Sequence, residues 1–250
     1  MKSLLTSLLF SIAAFGLDAA HAFEHPACGT ADEAACMLDA IWSAAEHLPA
    51  EKQNRLKAPF LETVAKSGDT LLLRHWQARL GADLRREKAV EPYARKKAKA
   101  ALSRGNWTAF LRDARAGAQP FNIGRPEIMA EGARLAPDAP TRRRVVDAMF
   151  ELAGRPIAAS GLDRSFEQAD FGHSLAELAM EACDLSSFDR AIALTADPES
   201  LRYALWRRRI TGQAGALAGR IRADANSDDT HHVRLALDGY GPVLKLGYCN

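Results

Sequence analysis

The stretch that decides the fold is residues 98–120, which read AKAALSRGNWTAFLRDARAGAQP. An Ala- and Leu-rich segment favours helix and stops at Gly105-Asn106, and a second helical segment then runs to Pro120, which cannot continue a helix. Residues 179–198 repeat this order around a Cys183-Asp184 turn. Both stretches therefore predict a pair of helices joined by a short turn.

The two pairs resemble the helix-turn-helix unit of tetratricopeptide repeats. Small Ala residues let paired helices approach closely, and a Pro ends the second helix of each pair. The resemblance covers about a third of the chain, without the full repeat motif or a regular spacing. It implies a helical-repeat, solenoid-like architecture and no particular activity. An irregular helical bundle is the alternative, and short turns suit either architecture.

The composition extends the helical prediction over most of the chain. Ala, Leu, Arg and Glu dominate residues 30–223, and Thr30-Ala-Asp-Glu33 has the order of a capping box. We predict an all-α helical domain over residues 23–223, built from about ten short antiparallel helices. Residues 224–250 are predicted to be a loop and a C-terminal tail packed on that domain. Asp238-Gly239-Tyr240-Gly241 favours a short β-hairpin there, and an extended tail is the alternative.

Residues 1–22 have the layout of a secretory signal peptide. Lys2 precedes an apolar run over residues 4–17, and Ala20-His21-Ala22 provides a small-residue cleavage site. Asp18 interrupts the apolar run too early for a membrane span of about 20 residues. We expect a mature chain from Phe23 that is periplasmic or secreted and has no membrane span.

Cysteine usage agrees with export. The four cysteines all follow the predicted cleavage site, and an even number in an oxidising compartment indicates two disulfides with three possible pairings. We favour Cys28 with Cys36, because Cys36 faces away from the apolar stripe of its helix. Cys183 with Cys249 would then attach the tail to a helix.

The charges nearly balance over the whole chain but not within it. The 250 residues carry a formal net charge of +2, which excludes a protein that wraps nucleic acid by bulk charge, and no nucleic-acid partner is expected. Residues 84–104 and 202–222 each carry a net charge of +6, and residues 167–199 carry −7. These runs predict internal pairing with a solvated face, and a basic surface for an anionic partner is the alternative.

No catalytic motif appears in the sequence. There is no nucleophile elbow, phosphate loop, dinucleotide fingerprint or HExxH sequence. The polar run Asp228-Asp229-Thr230-His231-His232 could bind a metal or serve acid–base chemistry, but a solvated loop explains it more simply. We therefore expect neither a cofactor nor a metal.

The helix around residues 198–210 provides the candidate site. Trp206, Arg207 and Arg209 could line the groove of a solenoid, where Trp and Arg are good anchors for a partner, although Trp206 could instead belong to the core. These observations predict an exported, non-catalytic helical-repeat protein that binds a protein or peptide partner in the cell envelope. The first alternative is a binder of anionic envelope polymer that uses basic helices, including Arg95, Lys96 and Lys97. The second is an envelope enzyme of unrecognised type.

Overall fold

In a computed structural model, the residues described are 33–82, 91–155, 162–212, 215–224, 230–244 and 249. They form helices and no strand, which confirms the all-α prediction. The helices within these ranges are α1 (Glu33–Glu46), α2 (Ala50–Ala65), α3 (Thr70–Leu80), α4 (Tyr93–Ser103), α5 (Trp107–Ala116), α6 (Arg125–Leu135), α7 (Ala139–Ala153), α8 (Leu162–Glu181), α9 (Leu185–Ile192), α10 (Leu201–Ile210), α11 (Gly215–Asp224) and α12 (His231–Leu244).

Local sequence signals set many of the helix boundaries. The turn predicted at Gly105-Asn106 separates α4 from α5, and the Asn106 side chain accepts a hydrogen bond from the Ala109 amide as an N-cap. Asp184 caps α9 in the same way by accepting from the Ser187 amide. The two sequence stretches that predicted helix pairs therefore form α4 with α5, and α8 with α9.

Alternate helices form a row. α4 packs against α6, α6 against α8, α8 against α10, and α10 against α12. α5 and α7 contact each other on one side of this row, and α12 packs further against α1 and α2. A row of every second helix is compatible with a helical-repeat architecture, in which each unit buries its apolar face against its neighbours.

Close packing of α6 against a residue of α5 depends on a glycine. Gly132 of α6 faces the ring of Phe110, and a Cβ at this position would lie 2.4 Å from Phe110 Cζ. Phe110 in turn packs edge-to-face on Phe121, with ring centroids 5.0 Å apart. α6 can therefore approach the α5 side only because residue 132 lacks a side chain.

The C-terminal tail corrects the sequence prediction. Residues 231–244 form helix α12, not a hairpin or an extended segment. α12 buries a stripe at helical spacing that includes Val233, Leu237 and Tyr240. Gly239, which the sequence analysis placed in a turn, lets α12 approach α10, because a Cβ there would lie 2.8 Å from Arg202 Cα. Packing against α10 therefore outweighs the local turn preference of the glycines.

One predicted disulfide is confirmed. Cys183 is bonded to Cys249, with their Cα atoms 5.6 Å apart, so the end of the chain is attached beside α8. Cys36 is also disulfide-bonded, whereas Cys28, its predicted partner, lies outside the described residues, as do residues 1–22. Among the described helices, none is long and apolar enough to cross a membrane.

Candidate partner-binding groove

The structure buries two of the three candidate residues on α10, and for Trp206 this is the alternative that the sequence left open. Trp206 is fully buried, and its indole Nε1 donates a hydrogen bond to the carbonyl oxygen of Gly239, 2.6 Å away. Arg209 is also buried and forms an ion pair with Glu33 at 3.1 Å. These two side chains join α10 to α12 and α1, and they present no surface to a partner. Of the three candidate residues on α10, only Arg207 is exposed, and it forms an ion pair with Asp189.

The basic residues of α4 are partly used within the chain. Arg95 lies 3.6 Å from Glu91 and 3.8 Å from Glu131, and the Lys97 ammonium lies 5.3 Å from the Tyr93 ring centroid. A hydrogen bond from Lys99 holds the pKa of Glu91 below its usual value. Lys96 is exposed to solvent.

Several acids of residues 167–199 form ion pairs within the chain. Asp189 pairs with Arg207 of a basic run, whereas the others pair with Arg125 and Arg134, which lie outside both basic runs. Arg134 of α6 forms ion pairs with Glu131, Glu177 and Glu181, and Arg125 pairs with Glu167. Burial by itself lowers the pKa of Arg134. The hydrogen bond with Glu181 and the charges of the three glutamates raise it by more, so the pKa lies above its usual value. Arg134, Glu177 and Glu181 line a cleft of about 400 Å³ in which acids and bases offset each other.

A second polar cluster joins α8 to α10. His173 Nδ1 lies 3.2 Å from Tyr203 Oη and 3.4 Å from an Arg202 nitrogen, and its Nε2 lies 3.6 Å from Glu177. An arginine can only donate, so Nδ1 is the acceptor and the neutral ring carries its proton on Nε2. Burial lowers the pKa of His173 and so favours this neutral form. His173 therefore acts as a hydrogen-bonded structural group.

The predicted metal-binding run is only partly described. His231 and His232 are the first residues of α12, with ring centroids 5.9 Å apart, and Asp228 and Asp229 lie outside the described residues. Within the ranges that the structure covers, no three metal-ligating side chains come together.

A further concavity, lined by apolar and charged side chains, lies elsewhere, between α7 and α9. Both helices pack on α8, and a groove of about 460 Å³ separates them. Leu175, Leu178 and Ala179 of α8 form its floor, and Val146 and Phe150 of α7 form one wall. The floor residues are spaced as one face of a helix. We call this concavity the α7–α9 groove.

Charged groups surround the apolar floor. Arg143 on α7 and Arg190 on α9 are exposed at the groove, and the Arg190 guanidinium lies 3.8 Å from the centroid of the Phe150 ring. The Asp184 carboxylate accepts hydrogen bonds from the hydroxyl and the amide of Ser187, and these bonds hold the pKa of Asp184 below its usual value. Ala182 lies at the end of the groove, beside the Cys183–Cys249 disulfide.

Sequence reasoning did not find this groove. The α7 stripe was visible as Val145, Val146 and Met149, but a single chain does not show whether a second helix covers the whole stripe. The structure buries Val145 and Met149 and leaves Val146 half-buried at the groove. The run Arg142-Arg143-Arg144 was a further signal, to which no role was assigned. No protein-family model, curated protein or solved structure matches this chain.

Proposed function

We propose that this chain is an exported, non-catalytic helical-repeat protein that binds a peptide segment of a protein partner in the cell envelope. The observation that carries the proposal is the α7–α9 groove, a concavity between two helices that is lined by apolar residues and arginines. Its volume of about 460 Å³ is that of a cleft for a small ligand, so it would receive a few side chains of a peptide.

The architecture supports this role. Helix pairs stacked in a row create grooves between neighbouring units, and helical-repeat proteins use such surfaces for partners. The pairs α4 with α5 and α8 with α9 are the tetratricopeptide-like units of this proposal. The predicted signal peptide and the Cys183–Cys249 disulfide support an oxidising, exported compartment.

A binder of anionic polymer is the second candidate. Its support is the exposure of Lys96 on α4 and of Arg104, which directly follows that helix. Arg95 and Lys99 share Glu91 in the same region, which reduces the charge available to a polymer. The groove therefore carries the stronger argument.

The groove can be blocked without changing the core. Ala182 is an exposed groove residue, and Ala182→Trp would fill the end of the groove. Ala116→Trp is a matched control, because Ala116 is exposed as Ala182 is. Each of the two alanines also precedes a residue with left-handed backbone: φ is 64° at Gly117 and 54° at Cys183. Ala116 does not line the groove.

The experiment compares three immobilised proteins in oxidised form: the unsubstituted chain and each variant. An envelope extract of the source organism is passed over each, and retained proteins are quantified by mass spectrometry during a salt gradient. We expect a discrete protein that is retained by the unsubstituted chain and by Ala116→Trp, and is lost with Ala182→Trp. Equal capture by both variants would refute the groove, and capture of polymer alone, lost at modest salt, would favour the second candidate.

A further inference from the structure

We infer that the segment bound in the α7–α9 groove is an acidic amphipathic helix. This inference rests on the proposed function and specifies the chemistry of the partner. It follows from two features of the groove, the state of its arginines and the nature of its walls.

Arg143 and Arg190 face the groove from opposite walls. Among the residues that the structure describes, neither guanidinium forms a hydrogen bond or an ion pair with a carboxylate. Arg207, on the neighbouring helix α10, does form such a pair, with Asp189. Arg143 acts on Asp184 through its charge, and Arg190 lies over the Phe150 ring, but the N–H donors of both guanidinium groups remain for an incoming carboxylate, which a guanidinium binds with two parallel hydrogen bonds.

The other charged groups of the groove are less available. Arg142 donates a hydrogen bond to the Leu178 carbonyl oxygen and lies 3.8 Å from Glu181. Asp184 is held by Ser187 at the start of α9. Asp147 is the remaining acid that lines the groove and lies one helical turn from Arg143, so three arginines face two acids there. The groove as a whole favours a segment with excess negative charge.

The walls favour a helical partner. The floor and both sides are helices, whose backbone N–H and C=O groups are already bonded within each helix. An extended peptide on this floor would find no strand edge to satisfy its own backbone groups. A helix satisfies its backbone internally and presents apolar side chains at positions i, i+3, i+4 and i+7. These side chains would meet Val146, Ala139 and Ala182, which are accessible apolar residues of the groove, while flanking Asp or Glu residues would reach the two arginines.

The experiment uses a library of random 16-residue peptides displayed on phage. The library is selected on the full chain in oxidised form, with counter-selection on Ala182→Trp to keep binders that depend on the groove. We expect the retained peptides to be rich in Asp and Glu, with apolar residues at helical spacing. Synthetic copies are then measured by fluorescence anisotropy and by circular dichroism, where we expect helicity to rise on binding.

Charge reversal tests the role of the two arginines directly. Arg143→Glu with Arg190→Glu should weaken binding of the acidic peptides at least about tenfold. Arg74→Glu with Arg144→Glu changes the net charge by the same amount at exposed positions outside the groove, and should change the affinity less than about threefold. If the Glu variant fails to fold, Arg143→Gln with Arg190→Gln replaces it.

The outcomes separate the two proposals. Groove-dependent peptides that are neutral or basic, or that bind without becoming helical, would overturn this inference and leave the proposed function standing. Equal weakening by the two double variants would also overturn it, since long-range charge would then explain the effect. A library that yields no groove-dependent binder would overturn both proposals.

Discussion

Removing the charge of Arg209 should destabilise the protein far more than removing that of Arg207. Both arginines lie on α10, two residues apart, and each forms an ion pair with a described residue at nearly equal length: Arg209 with Glu33 at 3.1 Å and Arg207 with Asp189 at 3.0 Å. The side chains of Arg209 and Glu33 are 4% and 7% exposed, against 53% and 42% for Arg207 and Asp189. Arg209→Met and Arg207→Met therefore differ mainly in the burial of the pair that they break.

Burial sets the magnitude of the two effects. Arg209→Met leaves the Glu33 carboxylate buried without its ion-pair partner, which costs about 3–5 kcal/mol in comparable cases. Arg207→Met leaves Asp189 in contact with water, and exposed pairs contribute about 0.2–1 kcal/mol. For a chain of this size, we expect the Arg209 variant to melt about 6–20 °C lower, and the Arg207 variant less than about 4 °C lower.

Urea unfolding followed by circular dichroism measures both free energies, provided that the transition is two-state. The double variant Glu33→Met with Arg209→Met tests the cause, because it removes the stranded carboxylate and should recover at least about 2 kcal/mol of the loss. A loss for Arg209→Met within about 1 kcal/mol of that for Arg207→Met, or no recovery in the double variant, would refute the reasoning.

Three further predictions concern packing, the disulfide and pH. Gly132→Ala should lower the free energy of unfolding by about 1–3 kcal/mol, because the added Cβ would clash with the buried Phe110 ring. Gly219→Ala in α11 should raise it by about 0.5–1 kcal/mol, because no heavy atom lies within 4 Å of the added Cβ and Ala favours a helix. Urea unfolding measures both changes. Breaking the disulfide between residues 66 apart, by replacing Cys183 and Cys249 with Ala, should cost about 4 kcal/mol. Replacing Cys183 with Gly and Cys249 with Ala should cost about 1 kcal/mol less than replacing both with Ala, because residue 183 has a φ of 54°, which Gly adopts without strain. Burial lowers the folded-state pKa of His173. The contribution of the neutral ring to the free energy of unfolding is therefore fully present above the unfolded-state pKa near 6.5, and it is lost as the pH falls toward the folded-state pKa. Chemical unfolding from pH 7.5 to pH 5 should show this loss, and His173→Gln should reduce the slope; an unchanged slope would contradict this assignment.

Local signals predicted the secondary structure well where they acted within a few residues. The turn at Gly105-Asn106 and the cap at Asp184 depend on backbone and side-chain groups close in sequence, so the sequence alone located both boundaries. The pairing of Cys183 with Cys249 was favoured among three possible pairings, because Cys36 was placed away from the apolar stripe of its helix, and the structure confirms it. The charge runs indicated internal pairing, but they did not show that Arg134 is the residue on which three glutamates converge.

The candidate site could not be predicted in the same way. Trp206 and Arg209 had the residue types of a binding surface, but exposure depends on helices distant in the chain. α12 covers Trp206, and α1 supplies the carboxylate for Arg209. The α7–α9 groove exists because two helices pack on α8 and leave a concavity between them, and no single segment encodes that space.

The sequence by itself therefore determined the helical class and several helix ends, because propensity and capping are local properties, and it favoured one disulfide pairing among three. Only the tertiary structure decided that Gly239 lies within a helix, because its lack of a Cβ lets α12 reach α10. It also decided which arginines are buried in ion pairs and which remain available at the groove. Burial is a property of the packed chain, since the same guanidinium is an anchor for a partner when exposed and part of the core when a carboxylate from another helix covers it.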